Sequence, residues 1–322
     1  MIQKSTIRAD FLLLIASLAW GYGFVPQKQA MLHLSPLLFN GFRFALGAIV
    51  LLPLALSKKT RQSHSLNPIN PLSHRNFAIA IFILGFVLFA AATLQQTGMA
   101  SPNTTATKTA FLTGLYIIFV PIIGILLKHK THPVTWISAI ITFLGVFFLT
   151  SENNNNQTHQ NLPLLAQGDL LVLLGAIFWA FHLLIIGYLV QITHAFKLAC
   201  GQFAICSILS FIAAITLNST FTLQQLTDCI PPILYGGFIS AGLGYTLQII
   251  AQKNAPPAHA AIILTLETLF GAIAGYLFLN EILSTPKILG AVLILLGILA
   301  TQLYPLYRHK KHKSLKTLAA TL

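Results

Sequence analysis

Charge is the scarcest property of this chain. Of its 322 residues 8% are charged and only six are acidic, against about 25% charged in a typical soluble domain. A water-soluble fold of this size needs a polar surface, and the residues to build one are missing. Cysteine is scarce as well. Cys200, Cys206 and Cys229 show no C-x-x-C spacing and no interleaved histidine ligands, so they read as small buried apolar residues rather than a disulfide framework or a thiolate metal site. The sequence has no HExxH pair for zinc, no P-loop for a nucleotide and no soluble domain to hold one. No metal or other cofactor is implied, and any energy for work must come from gradients.

What the chain has instead is apolar sequence, 56% hydrophobic with a mean hydropathy of +0.78. It falls into runs of about 20 residues, the length that crosses a hydrocarbon core. Ten spans are expected, at about 10–29, 36–57, 76–98, 103–126, 133–150, 168–190, 195–217, 230–251, 258–279 and 285–306. Backbone groups in lipid must be satisfied within their own segment, so the spans are helices. Pro36, Pro102, Pro133, Pro231, Pro256 and Pro286 stand near their starts, where proline suits a helix. The net charge of +13 does not point to nucleic acid, because the basic residues are spread over several loops and a tail rather than a stripe.

The first span looks like a signal peptide, with Lys4 and Arg8 before Phe11–Ala16 and then Ser17-Leu18-Ala19. An internal repeat argues otherwise. Asp10, Trp20, Phe44 and Ala45 recur 159 residues later as Asp169, Trp179, Phe203 and Ala204. Thr93-Leu94-Gln95 recurs 153 residues later as Thr246-Leu247-Gln248. The chain therefore reads as two five-helix repeats, 1–150 and 168–306, joined by an exposed Asn-rich linker 151–167 and followed by a basic tail 307–322. Five is odd, so the second repeat enters the membrane from the opposite side. That is the inverted plan of many secondary transporters, with a substrate cavity at the repeat interface.

Lys and Arg set the orientation. Fifteen fall in segments on the side of the N-terminus, and only Lys28 and Lys287 on the other. Cytoplasmic loops carry the excess, so both termini are expected in the cytoplasm and the protein in the inner (cytoplasmic) membrane.

Two basic residues and one acid, Arg43, Lys108 and Glu267, fall inside spans, where a charge costs about 2.5–3.5 kcal/mol by insertion scales. They suggest a polar cavity enclosed by helices. Glu267 is either a cavity group, accepting a proton or a substrate amine, or a buried partner for Arg43 or Lys108. Arg43 either binds a carboxylate or braces helices through backbone carbonyls. Lys108 either serves an anionic or zwitterionic substrate or snorkels to the interface. Trp20 and Trp179 lie about ten residues into their helices, too deep for an interfacial belt, and line the cavity or pack the repeat interface. Tyr116, His182, Tyr245 and His259 are further candidates for the cavity. Glu267 and His259 leave proton coupling open. Asp10 and Glu281, at helix ends, are expected to face water or cap a terminus.

Several short words, in order, resemble the drug/metabolite transporter superfamily, EamA type. They are Ala19-Trp20-Gly21, Arg43-Phe44, Phe111-Leu112-Thr113-Gly114-Leu115-Tyr116, Phe119-Val120-Pro121, Leu266-Glu267, Asn280-Glu281, Gly290 and Gly297, within residues 8–305. The resemblance implies ten helices in two repeats around a central cavity and export or exchange of small metabolites, often amino acids or their analogues. Thr268 stands where the family usually has a proline after the ninth-helix glutamate, which removes the usual cause of a kink there. A carrier of phosphorylated or nucleotide-linked sugars would want more convergent Lys and Arg groups. An integral-membrane enzyme acting on lipid-linked substrates would want acids and histidines clustered at one face. The expected partners are a small-molecule substrate and the lipid bilayer, and the chain is not expected to be an enzyme.

Overall fold

A computed structural model describes residues 2–57, 73–102, 104–128, 133–150, 167–280 and 284–300. The Asn-rich run, the basic tail and Glu281 lie outside the described residues.

Among the described residues ten apolar helical spans follow one another: α1 (Ile2–Ala30), α2 (Pro36–Leu56), α3 (His74–Ala100), α4 (Ala106–Leu126), α5 (Pro133–Thr150), α6 (Gln167–Ile192), α7 (Ala195–Thr216), α8 (Ile230–Gln252), α9 (Pro257–Leu279) and α10 (Thr285–Ala300). Eight are long and apolar enough to cross a membrane by themselves, while α5 and α10 are shorter. The protein is an all-α membrane protein. Its outward faces carry Ile49, Phe82, Phe86, Ile212 and Phe278, each about half exposed, apolar surface that suits lipid and would be a liability in water.

The starts follow local chemistry. The Ser35, Ser73 and Thr105 hydroxyls accept from the N–H groups of Leu38, Asn76 and Lys108, capping α2, α3 and α4. Asn280 ends α9 in the left-handed region at φ 55°. α1 begins at Ile2, earlier than its hydropathy alone suggested, so Asp10 sits within a helix and not at its end.

The halves interlock. α3 packs most heavily on α6, α2 on α7 and α1 on α9, each pair taking one helix from each half. The pattern is two-fold: α3 against α6 and α7 is matched by α8 against α1 and α2, and α1 against α9 by α6 against α4. Glycines allow the close approaches. A Cβ on Gly98 would run into the Gly168 carbonyl and Val172, so α3 and α6 touch backbone to backbone.

Two spans are interrupted at matching places. α4 breaks at Leu115 (φ −63°, ψ −12°) and α9 at Thr265 (φ −60°, ψ −13°), dihedrals that tighten one turn toward 3₁₀ geometry. No proline follows Glu267, and the break is made instead by threonines. Thr265 Oγ1 donates to the Ala261 carbonyl at 2.8 Å, and Thr268 donates to the Thr265 carbonyl through both its N–H (3.0 Å) and its Oγ1 (2.8 Å). Such back-bonding bends helices. α8 departs further: Tyr235–Tyr245 is π-helical, a widened turn found frequently at functional sites.

Candidate functional site

Where these irregular segments meet, a cavity of about 510 Å³ opens between the halves. It is lined from α1 by Trp20, Phe24 and Gln27, from α2 by Arg43, from α3 by Gln95, and from α4 by Thr113 and Tyr116. The second half adds Trp179, His182 and Leu183 from α6, Ser240, Tyr245 and Gln248 from α8, and Leu264 and Glu267 from α9.

Tyr245 is the centre of an aromatic group. Its ring lies 4.7 Å from that of Trp20, 6.0 Å from Trp179, 5.9 Å from His182 and 5.6 Å from Phe203. Tilted and edge-on contacts of this kind are favourable beyond burial alone. Polar ends are anchored around it. Trp179 Nε1 donates to Gln95 Oε1 at 2.7 Å, Trp20 Nε1 donates to the Ser240 carbonyl at 3.1 Å, and His182 Nε2 pairs with Gln202 Oε1 at 2.8 Å. With its roles fixed this way, the aromatic wall is preorganised rather than adaptable.

Two ionisable side chains face this wall, Arg43 and Glu267, both 3% exposed. Arg43 donates from Nη1 to Gln27 Oε1 at 2.7 Å, and its guanidinium lies 4.7 Å from the Phe44 ring centroid and 5.2 Å from that of Phe39. Cation–π contacts hold such a group, yet its Nε has no hydrogen-bond partner. Glu267 is placed in the first turn of the segment that follows the α9 break, where the helix dipole favours a carboxylate. The Tyr116 hydroxyl, from the first residue after the α4 break, is the polar group facing it. Neither Arg43 nor Glu267 forms an ion pair among the described residues. Two buried polar atoms of the lining, Arg43 Nε and Gln248 Oε1, have no hydrogen-bond partner, and Tyr116 Oη and Glu267 Oε1 have none besides each other's side chain and Thr265. A buried polar atom left this way costs about 1–3 kcal/mol, and together they make a surface complementary to a polar guest.

Of the nine candidates named from sequence, Trp20, Arg43, Tyr116, Trp179, His182, Tyr245 and Glu267 line the cavity. Two stand elsewhere. Lys108 neither snorkels nor joins the cavity: its Nζ pairs with Asp169 Oδ2 at 2.6 Å, and that carboxylate, fully buried, also accepts from Thr104 Oγ1 at 3.1 Å. His259 Nε2 lies 2.7 Å from Asp10 Oδ1, so Asp10 is a helix-to-helix partner and not a solvated cap. In both cases a carboxylate from the other half claims the basic side chain. Arg43, for its part, is held by the Gln27 side chain and two rings, not by backbone carbonyls. Sequence reasoning missed Gln27, Gln95, Thr113, Ser240 and Gln248 as lining residues. Gln95 and Gln248 carried a signal, an amide at the same place in both repeat words, each inside an apolar helix.

One family model, described as the EamA-like transporter family, matches the chain twice, over residues 7–151 and 166–302. An uncharacterized transporter of Archaeoglobus fulgidus is 27% identical over 92% of this chain and 86% of its own length. The uncharacterized transporter YwfM of Bacillus subtilis is 26% identical over 94% of this chain and 96% of its own. A solved crystal structure superposes with a TM-score of 0.67 over 94% of this chain and 97% of the other at 14% identity, a likeness of fold alone. The two-fold helix packing and the cavity at its centre thus have their counterpart in a model that fits each half in turn, and the chain belongs to the EamA-like transporter family.

Proposed function

We propose that the protein is a secondary exporter of small zwitterionic metabolites, amino acids or their analogues, working by alternating access between its two repeats. One observation carries the reading: a guanidinium and a carboxylate, both buried, face one cavity without pairing with each other. Unpaired buried charges are expensive, and a guest bearing a carboxylate for Arg43 and an ammonium for Glu267 would relieve both. Trp20, Trp179 and Tyr245 would cover its apolar part, and Gln95, Gln248, Tyr116, Thr113 and His182 would read its remaining polar atoms. With a single cation on the wall, a phosphorylated or nucleotide-linked sugar is served poorly. Glu267 would exchange its proton for the substrate amine, which gives a route to proton coupling. The excess of Lys and Arg on the side of the N-terminus supports a protein of the inner membrane with both termini in the cytoplasm.

Counterflow in proteoliposomes tests this. Vesicles preloaded with a mixture of neutral amino acids are expected to accumulate a radiolabelled neutral amino acid, with unlabelled amino acids competing and sugar phosphates not. Competition by sugar phosphates, or no amino-acid counterflow at all, would overturn the reading.

A further inference from the structure

Asp10 and Asp169 belong to the same place in the two repeats, 159 residues apart. Their partners also correspond. Lys108 lies near the start of α4 and His259 near the start of α9, 151 residues apart, and α4 and α9 are the fourth helices of the two halves. The pair Asp169–Lys108 (2.6 Å) is therefore the repeat image of the pair Asp10–His259 (2.7 Å). Each pair joins one half to the other.

The pairs lie at opposite ends of the bundle. Lys28, 18 residues after Asp10 along α1 and so about 27 Å away, donates from Nζ to the carbonyls of Met99 (2.7 Å), Ser101 (3.1 Å) and Thr104 (2.8 Å). Thr104 is itself bonded to Asp169, so this end holds the Asp169 pair and the far end of α1 holds the Asp10 pair. A second tie repeats as well. At the Asp10 end Gln191 Nε2 donates to the carbonyls of Gln252 (3.3 Å) and Lys253 (3.2 Å), and Gln252 is the equivalent of Met99, 153 residues on. Each end is thus closed by an acid pair across the halves and a donor laid on the last carbonyls of α3 or α8. The cavity lies between them.

We propose that Asp169–Lys108 and Asp10–His259 are the two gates of the transport cycle, one broken while the other holds. The proposal rests on the alternating-access reading given above. Substrate leaves at one end only if α6 parts from α4, and at the other only if α1 parts from α9. Those are the separations that the pairs oppose. The gates are unequal: one carboxylate is fully buried against an ammonium, and the other is 17% exposed against an imidazole that is charged only when protonated. The Asp10 gate is the easier to open.

Reporter labelling tests this without a substrate. Ser240→Cys places one thiol on the cavity wall in a background with Cys200, Cys206 and Cys229 replaced by alanine. A membrane-impermeant maleimide is then applied separately to right-side-out and inside-out vesicles. Asp10→Asn is expected to raise the labelling rate at least about fivefold from the Asp10 side alone, and Asp169→Asn from the opposite side alone, the population shift that loss of one latch should bring. If Asp169→Asn yields too little folded protein, Lys108→Gln breaks the same pair from its more exposed member. Unchanged labelling in both variants, or both opening the same side, overturns the proposal. End-specific labelling without amino-acid counterflow would sink the substrate reading alone, and normal counterflow with indifferent labelling would sink the gates alone.

Discussion

The two halves put the same residues at the same depth and bond them differently. Trp179 donates to Gln95 at 2.7 Å. Its equivalent Trp20 passes over Gln248, the equivalent of Gln95, and donates to the Ser240 carbonyl at 3.1 Å, which leaves Gln248 Oε1 without a partner. The backbone explains the difference. In the first half residues 82–92 are regular α-helix inside α3, whereas the matching stretch Tyr235–Tyr245 of α8 is π-helical. The wider turn carries its carbonyl to the indole. Equivalent parts in unlike states are what an inverted-repeat transporter uses to face one side at a time, and the contrast can be tested residue by residue.

The largest effect is expected at Glu267, two residues past the α9 break, where the first half has Ile117 two residues past the α4 break, so the carboxylate belongs to the second half alone. Glu267→Gln keeps the shape and removes the charge. Counterflow should fall to background while the melting temperature in detergent holds or rises, because a buried carboxylate without an ion pair opposes folding. A lowered melting temperature with normal flux would make Glu267 a structural residue and end its role in the contrast.

Next come the two acids. Asp169 is fully buried and bonded to Lys108 and Thr104 among others, so Asp169→Asn should cost about 2–3 kcal/mol, below the ~3–5 of a fully buried pair because Lys108 is 32% exposed. Asp10→Asn, at a carboxylate 17% exposed whose partner is charged only when protonated, should cost less, about 1 kcal/mol. Thermal melts of the two variants side by side decide it, and equal losses would show that the ends are held alike.

A smaller gap is expected between the amides. Gln95→Leu strips the acceptor from Trp179 and from Thr113, whose hydroxyl lies 3.4 Å away, and should cost about 1–2 kcal/mol. Gln248→Leu gives up only its bond to Gln252 Oε1 at 2.9 Å, while Gln252 keeps its own bond to the Leu183 carbonyl, so about 0.5–1 kcal/mol is expected. Denaturation of both variants sharpens the contrast, and a larger loss for Gln248→Leu would reverse it.

Helix number, helix positions and the repeat were legible in the sequence because each rests on a long-range average: hydropathy over about 20 residues or an offset shared by several positions. The aromatic and charged part of the cavity wall was legible too, since such a residue deep in an apolar span has few other reasons to be there, but its amides, hydroxyls and remaining apolar residues were not. Pairing was not legible. Lys108 and His259 looked like cavity groups because sequence gives depth along a helix and not the face it turns, and Asp169 and Asp10 sit on neighbouring helices far away in the chain. The π-helical stretch left no mark that composition could show. The break in α9 was discounted for want of a proline, although the threonines that make it, Thr265 and Thr268, were in plain view.

The smallest effect is expected at Gly244, which lies in the π-helical stretch against the indole of Trp20. A Cβ there would meet Trp20 Nε1 at 2.5 Å and Cδ1 at 3.1 Å, closer than real contacts allow. The obstruction is the end of a side chain and not backbone, so Trp20 can move aside at a cost of about 1 kcal/mol. To do so it must leave the Ser240 carbonyl, and Gln248 Oε1 is a free acceptor on the same wall. Gly244→Ala should therefore shift the indole toward the arrangement that Trp179 already has, with Gln248 in the place of Gln95. Tryptophan emission of Gly244→Ala in a background with Trp136→Phe and Trp179→Phe reads Trp20 alone, since the sequence has no other tryptophan. A changed spectrum that Gln248→Leu abolishes would confirm the exchange of acceptors, whereas an unchanged spectrum would show that α8, and not the indole, gives way.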